Sequence, residues 1–510
     1  MRRMPALSLV PACLPLRMPL LPVFLAAVLA SPASVRAADL PSGLKPCHLA
    51  GLEHDAWCGV LKRPLNPAEP QGRQIDLHYA VLPALARNKK PDAVFFFAGG
   101  PGQSAMTLAG SVSRLMARLS NRRDLVLIDQ RGTGRSAPLV CDDASPTRPL
   151  AEAADPERQL ALMRDCRGAL ERLPHGDLRR YTTTIAMQDA EAVRQALGVA
   201  QINLVGASYG TRAALEYMRQ FPQAVRRVVI DGVAPPDMVL PASFSVDGQQ
   251  ALEKMLAACE VEASCAGRYP ALRADWQSLL RSLPRTATVT HPVTGAPETV
   301  TVTRDMLLGM ARLPLYMPAL AAGLPLAISE GARGRFEPLV GLAGAIGRGR
   351  SSSLAAGMHY AVVCAEDFPR LSQAADAPGT DFGRSSAEQY AKVCADWPRG
   401  EVPAAFYTLP AAPAATLLLS GGADPATPPR HAERVQKALG AKARHVVVPQ
   451  AGHGVLSIGC MRDAVFRFID AASDDEALKV DADCAGAIPR PGAFIPVPAS
   501  RAGATIGARP

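Results

Sequence analysis

The chain has 510 residues, of which 48% are hydrophobic and 20% charged, a balance typical of a globular rather than a disordered protein. This length suits one large domain with an insertion, or two or three domains. Four arginines in the first 37 residues contribute to the formal net charge of +9, so the remainder carries about +5. The sequence has no dense run of Lys and Arg, so this modest positive charge does not indicate nucleic-acid binding.

The first 37 residues are typical of a secretory signal peptide. Arginines supply positive charge, an apolar core spans 18–30, and Val35-Arg36-Ala37 fits the small-x-small rule for cleavage. The apolar core is short and contains proline, so it predicts no stable membrane span, and no other segment does. We therefore expect an exported protein, periplasmic or secreted.

The cysteine content agrees with that compartment. Ten of the eleven cysteines lie outside the leader, and an even number in an exported chain favours disulfides over metal ligation. No Cys/His cluster has the spacing of a zinc site, and the sequence predicts neither a metal nor a cofactor. The connectivity stays open, although pairing nearest neighbours would give 47–58, 141–166, 259–265, 364–394 and 460–484.

Seven apolar runs predict the strands of a buried, mostly parallel sheet. Helical patterns lie between many of them, and this alternation is typical of a doubly wound α/β core. The predicted strands are 75–82, 93–99, 124–129, 202–206, 225–232, 415–422 and 443–449, and the predicted helices are 104–120, 185–197, 210–221, 429–439 and 461–472.

The alternation stops between residues 236 and 410, an Ala/Leu-rich stretch with helical patterns and one candidate hairpin at 286–303. This stretch interrupts the strand series, so we expect a mainly helical cap inserted between two parts of the core, 38–235 and 411–485. From residue 486 to 510 the chain is rich in Pro, Gly and Ala, which predicts an extended or disordered tail.

The segment 202–221 predicts a nucleophile. Its Gly206-Ala207-Ser208-Tyr209-Gly210 is a G-x-S-x-G between a predicted strand and a predicted helix, where a serine is held exposed on a sharp turn. The glycines allow strand and helix to approach closely. Such a motif also arises by chance, so a structural turn serine is the alternative until a base and an acid are found.

A base and an acid follow later in the chain. His453 lies in a glycine-flanked loop after the last predicted strand, where it could take the proton of Ser208. Asp424 follows the preceding strand, and a buried carboxylate there would fix the imidazole tautomer. Capping of the next helix is its alternative role, and Asp231, one strand earlier, is the rival acid. The order serine, aspartate, histidine is found in hydrolases with this motif.

The loop 95–105, FFFAGGPGQSA, predicts part of an oxyanion hole. Two donors must face the developing negative charge, and the N–H of Tyr209, next after the nucleophile, is one of them. Pro101 has no N–H, so Gly100 is the preferred second donor and Gly102 the reserve. A plain turn is the alternative interpretation of this loop.

These motifs together carry a family resemblance. AGGPG, DQRGTGRS, GASYG, GGADPATPP and AGHG, in this order between about 93 and 455, resemble the α/β-hydrolase branch of proline iminopeptidases and tripeptidyl aminopeptidases. The part from CAEDF to Cys460 is similar to the tripeptidyl-aminopeptidase-like group. Proline iminopeptidases typically carry His before GGPG; this chain has Ala98, which favours the tripeptidyl side. The resemblance implies an α/β-hydrolase fold and an exported serine peptidase that releases short N-terminal pieces from peptides.

An aminopeptidase must recognise a free α-ammonium group, and a cap carboxylate is its natural partner. Glu366 is the predicted substrate-binding residue, with Asp367 behind it and a structural salt bridge as the alternative. Asp129 and Arg131 are expected to buttress the active-site loops. We expect peptide substrates, with the oligomeric state left open. Two rival functions remain, a carboxylesterase or lipase on the same triad and a catalytically silent binding module.

Overall fold

The computed structural model describes residues 43–141, 147–350, 354–409 and 414–496, except for the side chains of 346–350. The predicted signal peptide and most of the predicted tail lie outside these ranges. The strands are β1 (Lys45–Cys47), β2 (Ala56–Pro64), β3 (Gln74–Leu82), β4 (Ala93–Phe97), β5 (Leu125–Ile128), β6 (Ile202–Ala207), β7 (Val225–Asp231), β8 (Arg285–Thr290), β9 (Pro297–Val302), β10 (Ala415–Gly421) and β11 (Ala443–Val448).

Nine of these strands form one sheet in the order β1-β2-β3-β5-β4-β6-β7-β10-β11. The neighbours from β5 to β11 run parallel, and β1, β2 and β3 extend the sheet with antiparallel pairs. The predicted mostly parallel sheet is confirmed. Every one of the seven predicted strands forms, whereas β1 and β2 were not predicted.

Helices surround this sheet. They are α1 (Ala109–Leu115), α2 (Ala117–Ser120), α3 (Leu150–Ala153), α4 (Pro156–Glu171), α5 (Thr183–Ala196), α6 (Tyr209–Gln220), α7 (Leu240–Val261), α8 (Ala263–Arg268), α9 (Leu272–Arg281), α10 (Arg304–Leu315), α11 (Pro318–Ala321), α12 (Leu324–Ala332), α13 (Glu337–Arg350), α14 (Ala356–Glu366), α15 (Ser385–Cys394), α16 (Pro429–Leu439), α17 (Met461–Asp470) and α18 (Asp474–Leu478). The helix predicted at 104–120 is broken into a short 3-10 turn, α1 and α2.

Alternate residues of the central strands enter two apolar cores. Along β4, Val94 and Phe96 pack on the face covered by α1 and α17, whereas Phe95 and Phe97 pack on the face covered by α5, α6 and α16. Both faces of the strand are therefore removed from water, and each buried aromatic ring contributes roughly 2 kcal/mol. This burial explains why the strand is a continuous apolar run rather than an alternating one.

Helices α7 to α15 and the hairpin β8–β9 lie between β7 and β10 in the chain. A separate apolar core around Trp276 holds many of them together. A further cluster joins α14 and α15 to α4, which precedes β6. The layer beside α14 is thus built partly from a segment that precedes Ser208 in the chain.

Helix α4 begins with a strong capping signal in its sequence, Asp155 followed by Pro156. The side chain of Asp155 accepts hydrogen bonds from the Glu157 and Arg158 N–H groups, and Pro156 stands at the first helical position.

All five nearest-neighbour disulfides form, Cys47–Cys58, Cys141–Cys166, Cys259–Cys265, Cys364–Cys394 and Cys460–Cys484. Two of them, Cys141–Cys166 and Cys364–Cys394, lie within the cluster that joins α4, α14 and α15. No helix in the described ranges has the length and apolarity that a bilayer span requires.

Candidate active site

Ser208 occupies the tight turn between β6 and α6. Its backbone adopts φ 56° and ψ −124°, a conformation that a non-glycine residue rarely holds without strain. A Cβ at Gly206 would lie 2.3 Å from the carbonyl oxygen of Gly210, and one at Gly210 would lie 2.0 Å from that of Phe97. Both glycines are therefore required for strand and helix to meet at the serine.

His453 and Asp424 are in direct contact. The imidazole Nδ1 donates to Asp424 Oδ2 at 2.8 Å, and the aspartate side chain is fully buried. The hydroxyl of Thr427 donates to the same carboxylate at 2.9 Å and lies 3.1 Å from His453 Nδ1. This arrangement assigns the Nδ1–H tautomer and leaves Nε2 as the basic nitrogen.

The carboxylate of Asp424 is held in its charged form. Burial alone would raise its pKa, but the neighbouring imidazole and the N–H groups of Thr427 and Ala426 outweigh that effect, and the pKa lies below its usual value. Asp424 can therefore orient the imidazole and stabilise an imidazolium at neutral pH.

The end of β7 lies between Ser208 and the loop of His453. The N–H of Ser208 donates to the carbonyl of Asp231 at 2.9 Å, and Gly232 follows directly. A Cβ at Gly232 would lie 3.2 Å from His453 Cε1. Within the described ranges the Ser208 hydroxyl has no hydrogen-bond partner within 3.5 Å, and such bonds often tighten only when substrate binds.

Asp231, the rival acid, does not hydrogen-bond the imidazole. Its carboxylate accepts from the N–H groups of Val455 at 2.8 Å and Leu456 at 2.9 Å, which fixes the loop just after His453. Burial raises the pKa of Asp231 to about 6 although these two donors oppose it. Asp231 thus holds the loop, and Asp424 is the carboxylate that contacts the imidazole of His453.

The predicted oxyanion loop lies against Ser208. A Cβ at Gly99 would be 3.2 Å from Ser208 Cβ, and Gly100 and Gly102 have φ values of 112° and 106°, which favour glycine. Tyr209 is the first residue of α6, so its N–H has no acceptor within the helix. Gly100 and Tyr209 therefore stand on the segments that flank Ser208, as the prediction of two backbone donors requires.

Asp129 anchors the predicted oxyanion loop through hydrogen bonds. Its Oδ1 accepts from the Ser104 hydroxyl at 2.6 Å and from the Met106 N–H at 3.0 Å, and its Oδ2 accepts from the Arg135 N–H at 3.2 Å. The neighbouring Arg131 is fully buried, and it donates hydrogen bonds to Asp189 and to the backbone carbonyls of Leu65 and Arg180. Asp129 therefore supports the predicted oxyanion loop, as expected from the sequence, whereas the contacts of Arg131 lie outside that loop.

Comparison with known proteins gives two family matches. Residues 92–284 match the model described as alpha/beta hydrolase fold, and residues 378–484 match the model described as TAP-like protein. The chain has the α/β-hydrolase fold, and its C-terminal part is similar to tripeptidyl-aminopeptidase-like proteins. The predicted resemblance is thereby confirmed.

Several known proteins are similar to this chain. A tripeptidyl aminopeptidase of Streptomyces lividans is 34% identical over 195 residues, 35% of each chain. The hydrolase thus spans about a third of the length of that relative. The serine protease Hip1 of Mycobacterium tuberculosis is 28% identical over 405 residues, 73% of this chain and 77% of its own. Among solved structures, a thermophilic esterase from Thermogutta terrifontis is 14% identical with a TM-score of 0.34, covering 80% of this chain and 96% of the esterase.

Glu366 of the hydrolase lies in a buried ionic cluster. Its carboxylate accepts from the Thr183 N–H at 2.7 Å and lies 3.4 Å from Arg212, which also binds Asp367 at 3.0 Å. Burial raises the pKa of Glu366 to about 7 although Arg212 opposes the shift. The side chain of Glu366 is fully buried and is not exposed to solvent. The geometry instead fits the alternative of a structural salt bridge, which ties α14 to α6.

A cavity of about 820 Å³ lies between α4, α7, α10, α14 and α15. Leu354 and His359 connect its wall to the oxyanion loop, because a Cβ at Gly100 would lie 2.9 Å from Leu354 Cδ1 and His359 Nδ1 lies 3.3 Å from the carbonyl oxygen of Pro101. Arg312, also on the wall, donates to the carbonyl of Pro425, next to Asp424. The cavity therefore borders two loops of the site.

Two polar residues that support the site, Thr427 and His359, were not among the residues predicted from the sequence. Thr427 was present in GGADPATPP, and a hydroxyl three residues after the aspartate is a signal of a side-chain-bonded turn. His359 lies in a helical stretch far along the chain from the oxyanion loop. No local pattern indicates that contact, because only the tertiary fold creates it.

Proposed function

We propose that this hydrolase is an exported serine peptidase that cleaves peptides from their free N-terminus through an acyl-enzyme on Ser208. The observation that carries the proposal is Ser208 on its strained turn beside the buried His453–Asp424 pair. The names of the relatives, a tripeptidyl aminopeptidase and a serine protease, support peptides as substrates. The signal-like leader and five disulfides support export.

The proposed reaction has two halves. His453 Nε2 takes the proton of Ser208 as Oγ bonds to the peptide carbonyl carbon, and the N–H groups of Tyr209 and Gly100 hold the oxyanion. The imidazolium then protonates the leaving nitrogen and the carbon–nitrogen bond breaks. Water, deprotonated by the same imidazole, attacks the acyl-enzyme and releases the N-terminal fragment with the serine restored.

In this proposal, carboxylates that face the cavity bind the free N-terminus of the peptide. Because Glu366 is buried, we propose exposed acids of the cavity wall for this role, among them Asp305 on α10 and Glu388 on α15. We propose that the segment 236–410 acts as a cap over the core formed by 38–235 and 411–485. Its helices α7, α10, α14 and α15 line the cavity together with α4, so they limit which peptides reach Ser208.

The proposal is tested with purified protein lacking the leader. Chromogenic anilides of Pro and Ala-Ala-Pro, their N-blocked forms and acyl esters are compared, with Ser208→Ala as the control. We expect hydrolysis of the free anilides, a large loss on N-blocking, and none in Ser208→Ala. Equal turnover of blocked peptides, or turnover of esters alone, would overturn the aminopeptidase assignment and favour the carboxylesterase or lipase alternative.

A further inference from the structure

Several arginines in the interior of this hydrolase are paired with carboxylates, because a guanidinium removed from water is costly without one. Such pairs are Arg123 with Asp92, Arg131 with Asp189, Arg212 with Asp367 and Arg430 with Asp247. Arg312 on α10 differs. No carboxylate oxygen of the described residues lies within 4.0 Å of its guanidinium, although the side chain is partly buried in the cavity wall.

Aromatic rings and two oxygens hold Arg312 in position. Its guanidinium carbon lies 4.4 Å from the ring centroid of Phe244 and 5.3 Å from that of Tyr316. Its Nη2 donates to the Tyr316 hydroxyl at 3.0 Å and to the Pro425 carbonyl at 3.3 Å. Nε is buried without a hydrogen-bond partner, and Nη1 has none within the described ranges. The group is thus oriented but not neutralised.

Arg312 lies on the histidine side of the predicted site. The ring of Tyr316 meets that of His453 edge-on, with centroids 5.1 Å apart, and the carbonyl of Tyr316 accepts from the His453 N–H at 2.9 Å. Because the histidine gives its proton to the leaving amine, the leaving fragment passes beside the imidazole. Arg312 is therefore near the path of that fragment.

We propose that Arg312 binds a carboxylate of the leaving fragment and so makes the enzyme selective for peptides with negative charge just after the cleaved bond. The inference rests on the proposed peptidase function. A planar guanidinium with free N–H groups matches a carboxylate, and their attraction is strengthened away from bulk water. The carboxylate can be the C-terminus of a one-residue fragment or the side chain of Asp or Glu in its first position.

Four peptides with the common acyl part Ala-Ala-Pro separate these sources. One pair ends in Ala with a free carboxylate or a carboxamide, and the other ends in Asp carboxamide or Asn carboxamide. Mass spectrometry of the released fragment gives kcat/KM. We expect the anionic member of at least one pair to be favoured about tenfold or more. Arg312→Gln should bring that ratio to about one, and Arg312→Lys should retain part of it.

The matched control is Arg281→Gln, which removes the same charge from an exposed position at the end of α9 and should keep the wild-type ratios. Titration with a fluorophosphonate gives the competent fraction of each variant and so separates misfolding from lost recognition. Wild-type ratios near one in both pairs, or a preference that survives Arg312→Gln, would overturn the role of Arg312. A wild-type enzyme that cleaves esters but no peptide would instead overturn the proposed function, and this inference with it.

Discussion

His453 has two buried aspartates near its loop, and only one of them touches the imidazole. Asp424 bonds Nδ1, whereas Asp231 bonds the backbone of Val455 and Leu456. The two carboxyls also differ electrostatically, since the pKa of Asp424 is lowered and that of Asp231 is raised to about 6. A neutral amide should therefore be tolerated at 231 and damaging at 424.

Asp424→Asn should lower kcat by about 10³- to 10⁴-fold, because the amide favours the wrong tautomer and does not stabilise the imidazolium. Asp231→Asn should stay within about threefold of wild type, since its amide oxygen still accepts backbone N–H groups. Steady-state kinetics on Ala-Ala-Pro anilide measures both variants. Comparable losses at the two positions would contradict this division of roles.

Glu366→Gln should leave kcat/KM for free N-terminal peptides within about threefold, because the isosteric amide still accepts from the Thr183 N–H. The pKa of Glu366, raised to about 7 by burial, means that its protonated form is already accessible near neutral pH. The same assay on Glu388→Gln tests an acid that faces the cavity. If Glu366→Gln lost activity on free but not on N-blocked peptides, Glu366 would be the ammonium-binding residue after all.

At the scale of elements, α14 and α15 hold the oxyanion loop from outside the sheet. The Ala355 N–H donates to the Gly102 carbonyl at 2.9 Å, and His359 bridges the Pro101 carbonyl at 3.3 Å and the Tyr390 hydroxyl at 2.8 Å. Burial lowers the pKa of His359, so the ring is neutral and its Nδ1–H donates to the loop. Helix and loop are thus coupled through one side chain.

His359→Phe should reduce kcat about tenfold with little change in KM, because a displaced oxyanion donor weakens transition-state binding more than ground-state binding. Tyr390→Phe, which removes only the outer hydrogen bond, should have a smaller effect in the same direction. A full kinetic profile on Ala-Ala-Pro anilide gives the two constants. A change confined to KM in His359→Phe would argue for substrate contact instead of loop positioning.

The elements differ in how well their sequence predicts them. Strands β4, β5 and β10 were predicted because both of their faces are buried and every residue is apolar or small. Strand β2 was not predicted, because it is partly exposed and contains Gly59, Lys62 and Arg63. The predicted triad residues, Ser208, Asp424 and His453, each follow a strand, in an order found in hydrolases with this motif. Arg312 and His359 do not, because their contacts with the site arise only when distant helices pack on its loops.

At the scale of the whole molecule, two buried carboxylic acids make stability depend on pH. Burial raises the pKa of Asp231 to about 6 and that of Glu366 to about 7, from ordinary values of 3.8 and 4.5. At pH values between the ordinary and the raised pKa of each group, the folded protein binds more protons than the unfolded chain. The contribution of both groups to the free energy of unfolding therefore falls as pH rises from about 4 to about 7.

Asp231→Asn should gain stability relative to wild type as pH rises from about 4 to about 6, by at most about 3 kcal/mol. The amide of the variant does not titrate, so position 231 should not lower the stability of the variant as pH rises over this range. Thermal unfolding of both proteins across a pH series measures the difference. A difference that is constant with pH would show that Asp231 does not titrate in the folded protein as its burial implies.

The attack by Ser208 is tested most directly by covalent labelling with a fluorophosphonate, followed by intact-mass analysis and peptide mapping. One adduct is expected, on the peptide that contains Ser208, and the labelling rate should fall sharply in His453→Ala because the hydroxyl loses its base. Ser208→Ala should take up no label. An adduct on a different residue, or unchanged labelling of Ser208→Ala, would contradict the assignment of Ser208 as the nucleophile.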